Sequence, residues 1–239
     1  SYIKWRAQSV HPLVLVIISV TVIFIIHNTT FWTIWDDAFA SSKIRGVIFA
    51  IALLLLCCGL VSIFAIKRVL QQFIAFLFIL SSVTSYYMDQ LGVIIDREMI
   101  QNVVTTTLME GKHLVTRSFL IWVGVSGIVP AIIVFYVKVD HPKFFYSVLR
   151  NALFFMFCIL GTIILVATDI KGNASVLRTR IDLKSSFQPL APITESFLYL
   201  AMITRSATLE FQEIGTDATL NSNFRLSLIH ISEPTRPED

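Results

Sequence analysis

The sequence predicts an all-α membrane protein with five transmembrane helices and added amphipathic helices on one face. Composition is the first reason. Of 239 residues, 55% are hydrophobic and only 15% are charged, with 19 Phe. Globular chains carry roughly 25% charged residues. A water-soluble surface cannot be built from this chain, which excludes a soluble enzyme, a secreted module and a disordered protein. The second reason is five separate apolar stretches, each near the roughly 20 residues that a helix needs to cross a bilayer. The stretches do not alternate, and transmembrane strands of about 10 residues would. The third is charge placement. A net charge of +3 is too modest to mark a nucleic-acid partner, but its distribution is informative about topology.

In order, the stretches run from Pro12 to His27, Ile44 to Ile66, Val69 to Tyr87, Phe119 to Val137 and Phe144 to Ala167. The first starts too near residue 1 and lacks the small-residue site of a removable signal peptide. Lys4 and Arg6, Lys67 and Arg68, and Lys138, Lys143 and Arg150 all fall on one side if each helix crosses once. The opposite loops mix Lys43, Arg45, Arg97, Lys112 and Arg117 with Asp36, Asp37, Asp89, Asp96, Glu98 and Glu110. The excess of cations puts the N-terminus in the cytoplasm and everything after residue 169 outside. Residues 27–42 hold Phe31, Trp32, Ile34, Trp35 and Phe39, the pattern of a segment lying in the headgroup layer. Residues 96–111 read as an interfacial helix, with Asp96 as N-cap, Glu98 in the first turn, and Gly111 followed by Lys112 as the stop. Pro130 should kink the fourth helix, and Gly124 and Gly127 before it allow close helix approach. Residues 170–225 are polar, with Pro189 and Pro192 breaking any long helix, and read as a linker.

Few residues offer chemistry. Cys57, Cys58 and Cys158 lie inside apolar runs and read as small packing residues rather than as a disulfide framework or a zinc site. Five scattered His form no HExxH pair and no Cys/His cluster, so no metal site is expected in this chain. Asn102, Thr106 and Glu110 are spaced i, i+4, i+8, which makes one polar stripe on a helix. A carboxylate beside an amide and a hydroxyl suits a zwitterionic headgroup: Glu110 for an ammonium, Asn102 and Thr106 for phosphate oxygens. An ordinary solvated helix face has the same spacing.

A resemblance enters at residues 85–110. Ser85-Tyr86-Tyr87-Met88-Asp89 and Ile95 to Val103 resemble the membrane-domain signature of lipid A phosphoethanolamine transferases, the family of the mobile colistin-resistance enzymes. The pattern Met-x-x-Asn-Val-x-x-Thr-x-x-x-Glu is matched by Met99, Asn102, Val103, Thr106 and Glu110. The Gly124, Gly127, Pro130 region, Val137-Lys138-Val139, Ala174-Ser175 with Arg178, and Ile214-Gly215 with Asp217-Ala218 are also similar to the family. Gly172-Asn173 departs from it. The resemblance implies an enzyme of the bacterial inner membrane in two parts, a five-helix membrane domain and a periplasmic alkaline-phosphatase-like α/β domain. It implies transfer of phosphoethanolamine from a phosphatidylethanolamine donor to a lipid A acceptor, through a zinc-bound Thr of a Gly-Glu-Thr motif. It also implies that Asn102, Thr106 and Glu110 bind the donor.

This chain holds no Gly-Glu-Thr and no set of Asp, His and Glu for zinc. The expectation is therefore a membrane domain over 1–169, a periplasmic linker over 170–225, and no α/β catalytic domain. No catalytic residue is assigned, no cofactor is expected in this chain, and zinc belongs to the missing domain. Leu226 to Arg236 resembles a translated sequencing adapter, so residues 226–239 are expected to be artefactual. A fragment of this kind should bind donor lipid and be catalytically inactive. The rival readings are a small transporter subunit, which needs a polar path through the helices, and a non-enzymatic scaffold.

Overall fold

The computed structural model describes residues 9–67, 69–106, 111–140 and 143–207. Helices account for the architecture: α1 Pro12–Ile26, α2 Thr29–Ala38, α3 Lys43–Ser62, α4 Val69–Leu91, α5 Arg97–Thr105, α6 Arg117–Tyr136, α7 Phe144–Ala167, α8 Ile170–Thr179, α9 Ile181–Ser186 and α10 Leu190–Ala207. Four of them, α3, α4, α6 and α7, are each long and apolar enough to cross a membrane. The fifth crossing is α1, whose 15 residues span only about 22 Å, short of a hydrocarbon layer of about 30 Å. It ends in a 73° bend into α2.

Hydrogen bonds place the two ends of α1 at opposite ends of the bundle: past its exit Thr30 donates to Asp89 at the end of α4, and its entrance meets the turn before α7. Val10 N–H donates to the Lys138 carbonyl at 2.8 Å, and Asp140 N–H donates to the Val10 carbonyl at 3.1 Å. The start of α1 is thereby tied to the turn between α6 and α7. At the opposite end of the bundle Arg45, beginning α3, meets Asp169, just past α7, at 3.2 Å. The first is called the Val139 end below, the second the Asp169 end.

Polar side chains close the helix ends inside this apolar frame. Gln71 Nε2 donates to the carbonyls of Val134 and Val137, at 2.8 and 2.9 Å, where α6 runs out of backbone donors. Asn151, buried on α7, donates to the Ala65 carbonyl at 2.9 Å in the α3–α4 turn. Gly92, in the left-handed region at φ +63, ends α4 with its N–H on the Met88 carbonyl. Large apolar side chains that face outward, such as Phe157 with 67% exposure on α7, make the lipid-facing surface. Cys57, Cys58 and Cys158 are buried as free thiols. A Cβ at Gly59 would stand 2.9 Å from the Cys158 Cβ, so α3 and α7 meet backbone to side chain there.

Three expectations change. Helix α6 is not sharply broken at Pro130. It widens into a π-helical segment, Val123–Ile128, in which Val129 N–H reaches back to the Gly124 carbonyl. The wider turn absorbs the extra space that the following proline ring needs. Only one of the two glycines serves close approach: a Cβ on Gly127 would fall 2.9 Å from the Ser82 Cβ, while at Gly124 nothing lies within 4 Å. Residues 170–207, where the prolines were expected to break any long helix, are helical. They fold into α8, α9 and α10 against the bundle, with Leu183, Phe187 and Ala191 buried. Pro192 falls in the first turn of α10, where a missing N–H leaves no helical bond unmade, so the two prolines start a helix instead of preventing one. Residues 208–239, with the expected adapter-like tail, lie outside the described residues.

The junction of α1 and α2 carries the tie to these added helices. Asn28, 1% exposed, donates to the carbonyls of Ile23 and Gln188, both at 3.2 Å, and accepts the Gln188 N–H at 2.7 Å. The Gln188 side chain accepts from the Thr84 hydroxyl at 2.8 Å and its amide reaches Met88 Sδ at 3.2 Å on α4. Around it Phe24, Phe31 and Phe187 pack edge-to-face, an arrangement aromatic pairs favour.

The glycine pair gives a test. Gly127→Ala overpacks the α4–α6 contact and is expected to destabilise by about 1–3 kcal/mol. Gly124→Ala is expected to be neutral or stabilising by up to about 1 kcal/mol through helix propensity. Thermal unfolding of the two variants in detergent measures this, and equal melting shifts would contradict the packing contact.

Candidate functional site

The predicted polar stripe begins as expected and then changes course. Asp96 caps α5 by accepting the Met99 N–H at 2.8 Å. The helix stops at Thr105, with Thr106 already extended at φ −66, ψ 130. The expected continuation to residue 111 is therefore not helical throughout, and a 3-10 turn follows at Lys112–Leu114. The cause is local. The Thr106 hydroxyl and N–H both donate to the Asn102 carbonyl, at 2.6 and 2.8 Å, and Thr105 back-bonds to the Gln101 carbonyl at 2.9 Å. Two successive threonines bonding their own helix in this way compete with its continuation. Asn102 and Thr106 stay together. Glu110, the third member of the stripe, lies outside the described residues.

Asn102 and Thr106 line one side of a cleft of about 520 Å³. Tyr87 and Leu91 at the end of α4, Lys112 and Leu114 form its other walls. Tyr87 is held in place by donating its hydroxyl to the Leu114 carbonyl at 3.2 Å and by stacking on Phe119, ring centroids 5.1 Å apart. Tyr86 shares its hydroxyl with Thr116 at 2.9 Å, and Thr116 caps α6 by accepting the Phe119 N–H at 3.1 Å. The aromatic wall is thus built from the adjacent ends of α4 and α6. Chemically the cleft is apolar with polar groups at its rim. An amide and an ammonium there can bind phosphate oxygens, and Val103, Met99 and Leu91 can cover hydrocarbon. Lys112 escaped the sequence reading because it served only as a helix stop there. Tyr87 escaped because nothing in its spacing distinguishes it from an interfacial aromatic.

Charged pairs at the Asp169 end position the helices around this site. Asp169 caps α8 by accepting the Gly172 N–H at 2.9 Å and pairs with Arg45. Those two contacts hold its carboxyl below the usual carboxylate range. Arg180 bridges Asp37 of α2, at 2.6 Å, and Asp182 of α9, at 3.1 Å. Burial opposes ionisation of Asp182, but the Arg180 guanidinium and the Leu183 N–H outweigh it and keep its carboxyl low. Asp36 pairs with Lys43, and Asp89 accepts from the Thr30 N–H and hydroxyl at 3.2 and 2.6 Å. Among the described residues no group of three or more His, Cys, Asp and Glu could hold a metal ion. These residues do not fit a zinc site, so no chemical step can be drawn through zinc here.

Comparison with known proteins places this geometry in context. The profile described as phosphoethanolamine transferase EptA/EptB matches residues 52–202, more than half of the chain. The chain belongs to this phosphoethanolamine transferase family. It is 29% identical over 195 residues to the phosphatidylethanolamine transferase Mcr-1 of Escherichia coli, a match covering 79% of this chain and 36% of that protein. It is 31% identical over 181 residues to the phosphoethanolamine transferase EptA of Escherichia coli K12, covering 71% of this chain and 32% of the relative. The solved lipooligosaccharide phosphoethanolamine transferase A (EptA) of Neisseria meningitidis superposes with a TM-score of 0.74 at 18% identity, over 81% of this chain and 37% of that one. The chain therefore spans about a third of the length of these relatives. Members of the family are phosphoethanolamine transferases, and what this chain shares with the solved member is the membrane-domain fold.

The low carboxyl at Asp169 has a pH consequence. Its folded-state pKa is depressed, so its stabilisation is present above the unfolded value of about 3.9 and is lost as pH falls through the lower folded value. Asp169→Asn is expected to lower the melting temperature at pH 7 and to flatten its fall below about pH 4. Parallel melting curves across pH for the two proteins would refute the assignment.

Proposed function

We propose that this chain is the membrane part of an enzyme that moves phosphoethanolamine from phosphatidylethanolamine to lipid A, and that its own task is to hold the donor lipid. It sits in the bacterial inner membrane with the N-terminus in the cytoplasm, so that the Asp169 end and residues after 169 face the periplasm. The carrying observation is the cleft of Asn102, Thr106, Tyr87 and Lys112 at that end. Its polar groups suit the phosphate of a headgroup, and its apolar side chains, Leu91, Met99 and Val103, suit acyl chains. Glu110 is assigned the headgroup ammonium, following the family pattern and the chemistry of a carboxylate. The printed names of the relatives, phosphoethanolamine and phosphatidylethanolamine transferases, agree with this class of lipid.

Covalent transfer belongs, in this reading, to the part of the relatives' length that the chain does not match, and zinc with it. The donor-holding groups act by orienting the phosphodiester and keeping its headgroup at the membrane surface. The chain alone is expected to give no transfer of phosphoethanolamine to lipid A in the presence of zinc. Turnover by the purified chain in vesicles containing both lipids would remove this division of labour.

Donor binding has its own test. Purified from vesicles of equal phosphatidylethanolamine and phosphatidylcholine, the chain is expected to retain phosphatidylethanolamine preferentially, read by native mass spectrometry. Asn102→Ala removes one hydrogen bond of about 1 kcal/mol, a roughly fivefold loss of that preference. Lys112→Ala removes a charged one and costs more. Equal retention of both lipids by the unaltered chain would sink the donor-site assignment.

A further inference from the structure

A second cluster of polar groups lies inside the bundle, away from the cleft. His27 is 1% exposed and Ser81 is fully buried. Neither ring nitrogen of His27, nor Ser81 Oγ, nor Trp122 Nε1 has a hydrogen-bond partner in the protein. The imidazole stands edge-on to Trp122, with ring centroids 6.4 Å apart and 85° between planes, and to Phe78 at 6.3 Å, one turn before Ser81 on α4. It approaches the backbone of Ser126 without a hydrogen bond of normal geometry. Beside it the hydroxyls of Ser82 and Ser126 pair at 2.8 Å, and Ser126 also donates to the Trp122 carbonyl at 2.8 Å.

This cluster forms where two helices stop being regular. His27 ends α1 at the 73° bend into α2. Trp122 and Ser126 flank and enter the π-helical segment of α6. Both irregularities disturb the backbone ladder, and such breaks are places where water inserts. Buried polar groups without protein partners are normally satisfied by ordered water, which takes two to four partners and recurs about once per 27 residues. Hydrocarbon cannot substitute for it.

We propose that His27, Ser81 and Trp122 hold internal water between α1, α4 and α6, on the Asp169 half of the bundle. One water accepts from the indole N–H and bonds one imidazole nitrogen, and a second bonds the other nitrogen and reaches Ser81, so that all four orphaned atoms gain partners. Trp122 is also the inner wall of an open cleft of about 450 Å³ that includes Tyr86, Asp89, Gln90 and Ser118. Trp122 thus stands between His27 on one side and a cleft open to the outside on the other.

The test uses the full chain, uniformly 15N-labelled, in phosphatidylcholine vesicles. Solid-state NMR follows magnetisation passing from water protons to nitrogen. The imidazole nitrogens of His27 are expected to build up within about twofold of the time taken by exposed His11 and His113. Build-up no faster than that of the backbone nitrogens of buried Leu70 and Ile74 would overturn the proposal. Trp122→Phe removes one partner of the water and is expected to slow transfer to His27 severalfold. Unchanged transfer in a folded Trp122→Phe protein would overturn the role given to the indole, and if that variant does not fold, the measurement on the unaltered chain decides.

Discussion

A helix that bends leaves backbone groups unpaired, and the Asn28–Gln188 pairing shows what closing such a bend demands when it is buried. The break between α1 and α2 leaves carbonyls at the end of α1 without helical donors. Asn28 supplies one donor to Ile23, and the backbone of Gln188 takes up both ends of the Asn28 amide. The bend is thus permitted only because a segment from beyond the last crossing comes back to satisfy it. Gln188 in turn fastens to Thr84 and Met88 of α4. One buried amide therefore joins the first crossing, the third and the helices that follow the fifth. Losing it would leave several polar groups unpaired at once, each costing about 1–3 kcal/mol.

The ion pairs at the same end work differently. Asp37 is largely exposed, as is Asp36, and exposed pairs of this kind contribute about 0–1 kcal/mol each. Their value is in register. Arg180 can meet Asp37 and Asp182 together only when α8 and α9 lie across α2 in one place, and Arg45 with Asp169 fixes where α7 gives way to α8. Buried contacts such as those of Leu183 and Phe187 supply the energy, and the charges choose the position. Beside this arrangement α10 is laid against α5, which bears the cleft.

What was legible in the sequence follows from the same physics. The five crossings were visible because continuous apolar runs have one stable form in a bilayer, and their bounds match the helices closely from Val69 and Phe144 onward. The N-cap at Asp96 was visible because it depends on neighbours three residues away. The early end of α5 was not, because Thr105 and Thr106 bond backward in a way that residue spacing does not reveal. Residues 170–207 looked like a linker because their polarity is real: α8 buries only Asn173 among its ten residues. Their folding depends on Asn28 and Asp37, far away in the chain. The site was half legible. Asn102 and Thr106 were marked by the family pattern, but Tyr87 and Lys112 join them only through the meeting of α4, α5 and the turn at Lys112–Leu114.

The short backbone bridge between Val10 and Val139 bears on how the protein is made. A ribosome delivers α1 to the membrane long before the turn after α6 exists. Until that turn arrives, the carbonyl and N–H of Val10 have only water or headgroups to bond. A helix of 15 residues is then held in a layer thicker than itself, a mismatch met by local thinning of that layer. Arrival of residues 138–140 staples its entrance, and arrival of Gln188 staples its exit. The helix made earliest in this bundle is in this sense the last to be finished, since its two ends are closed by segments synthesised after it.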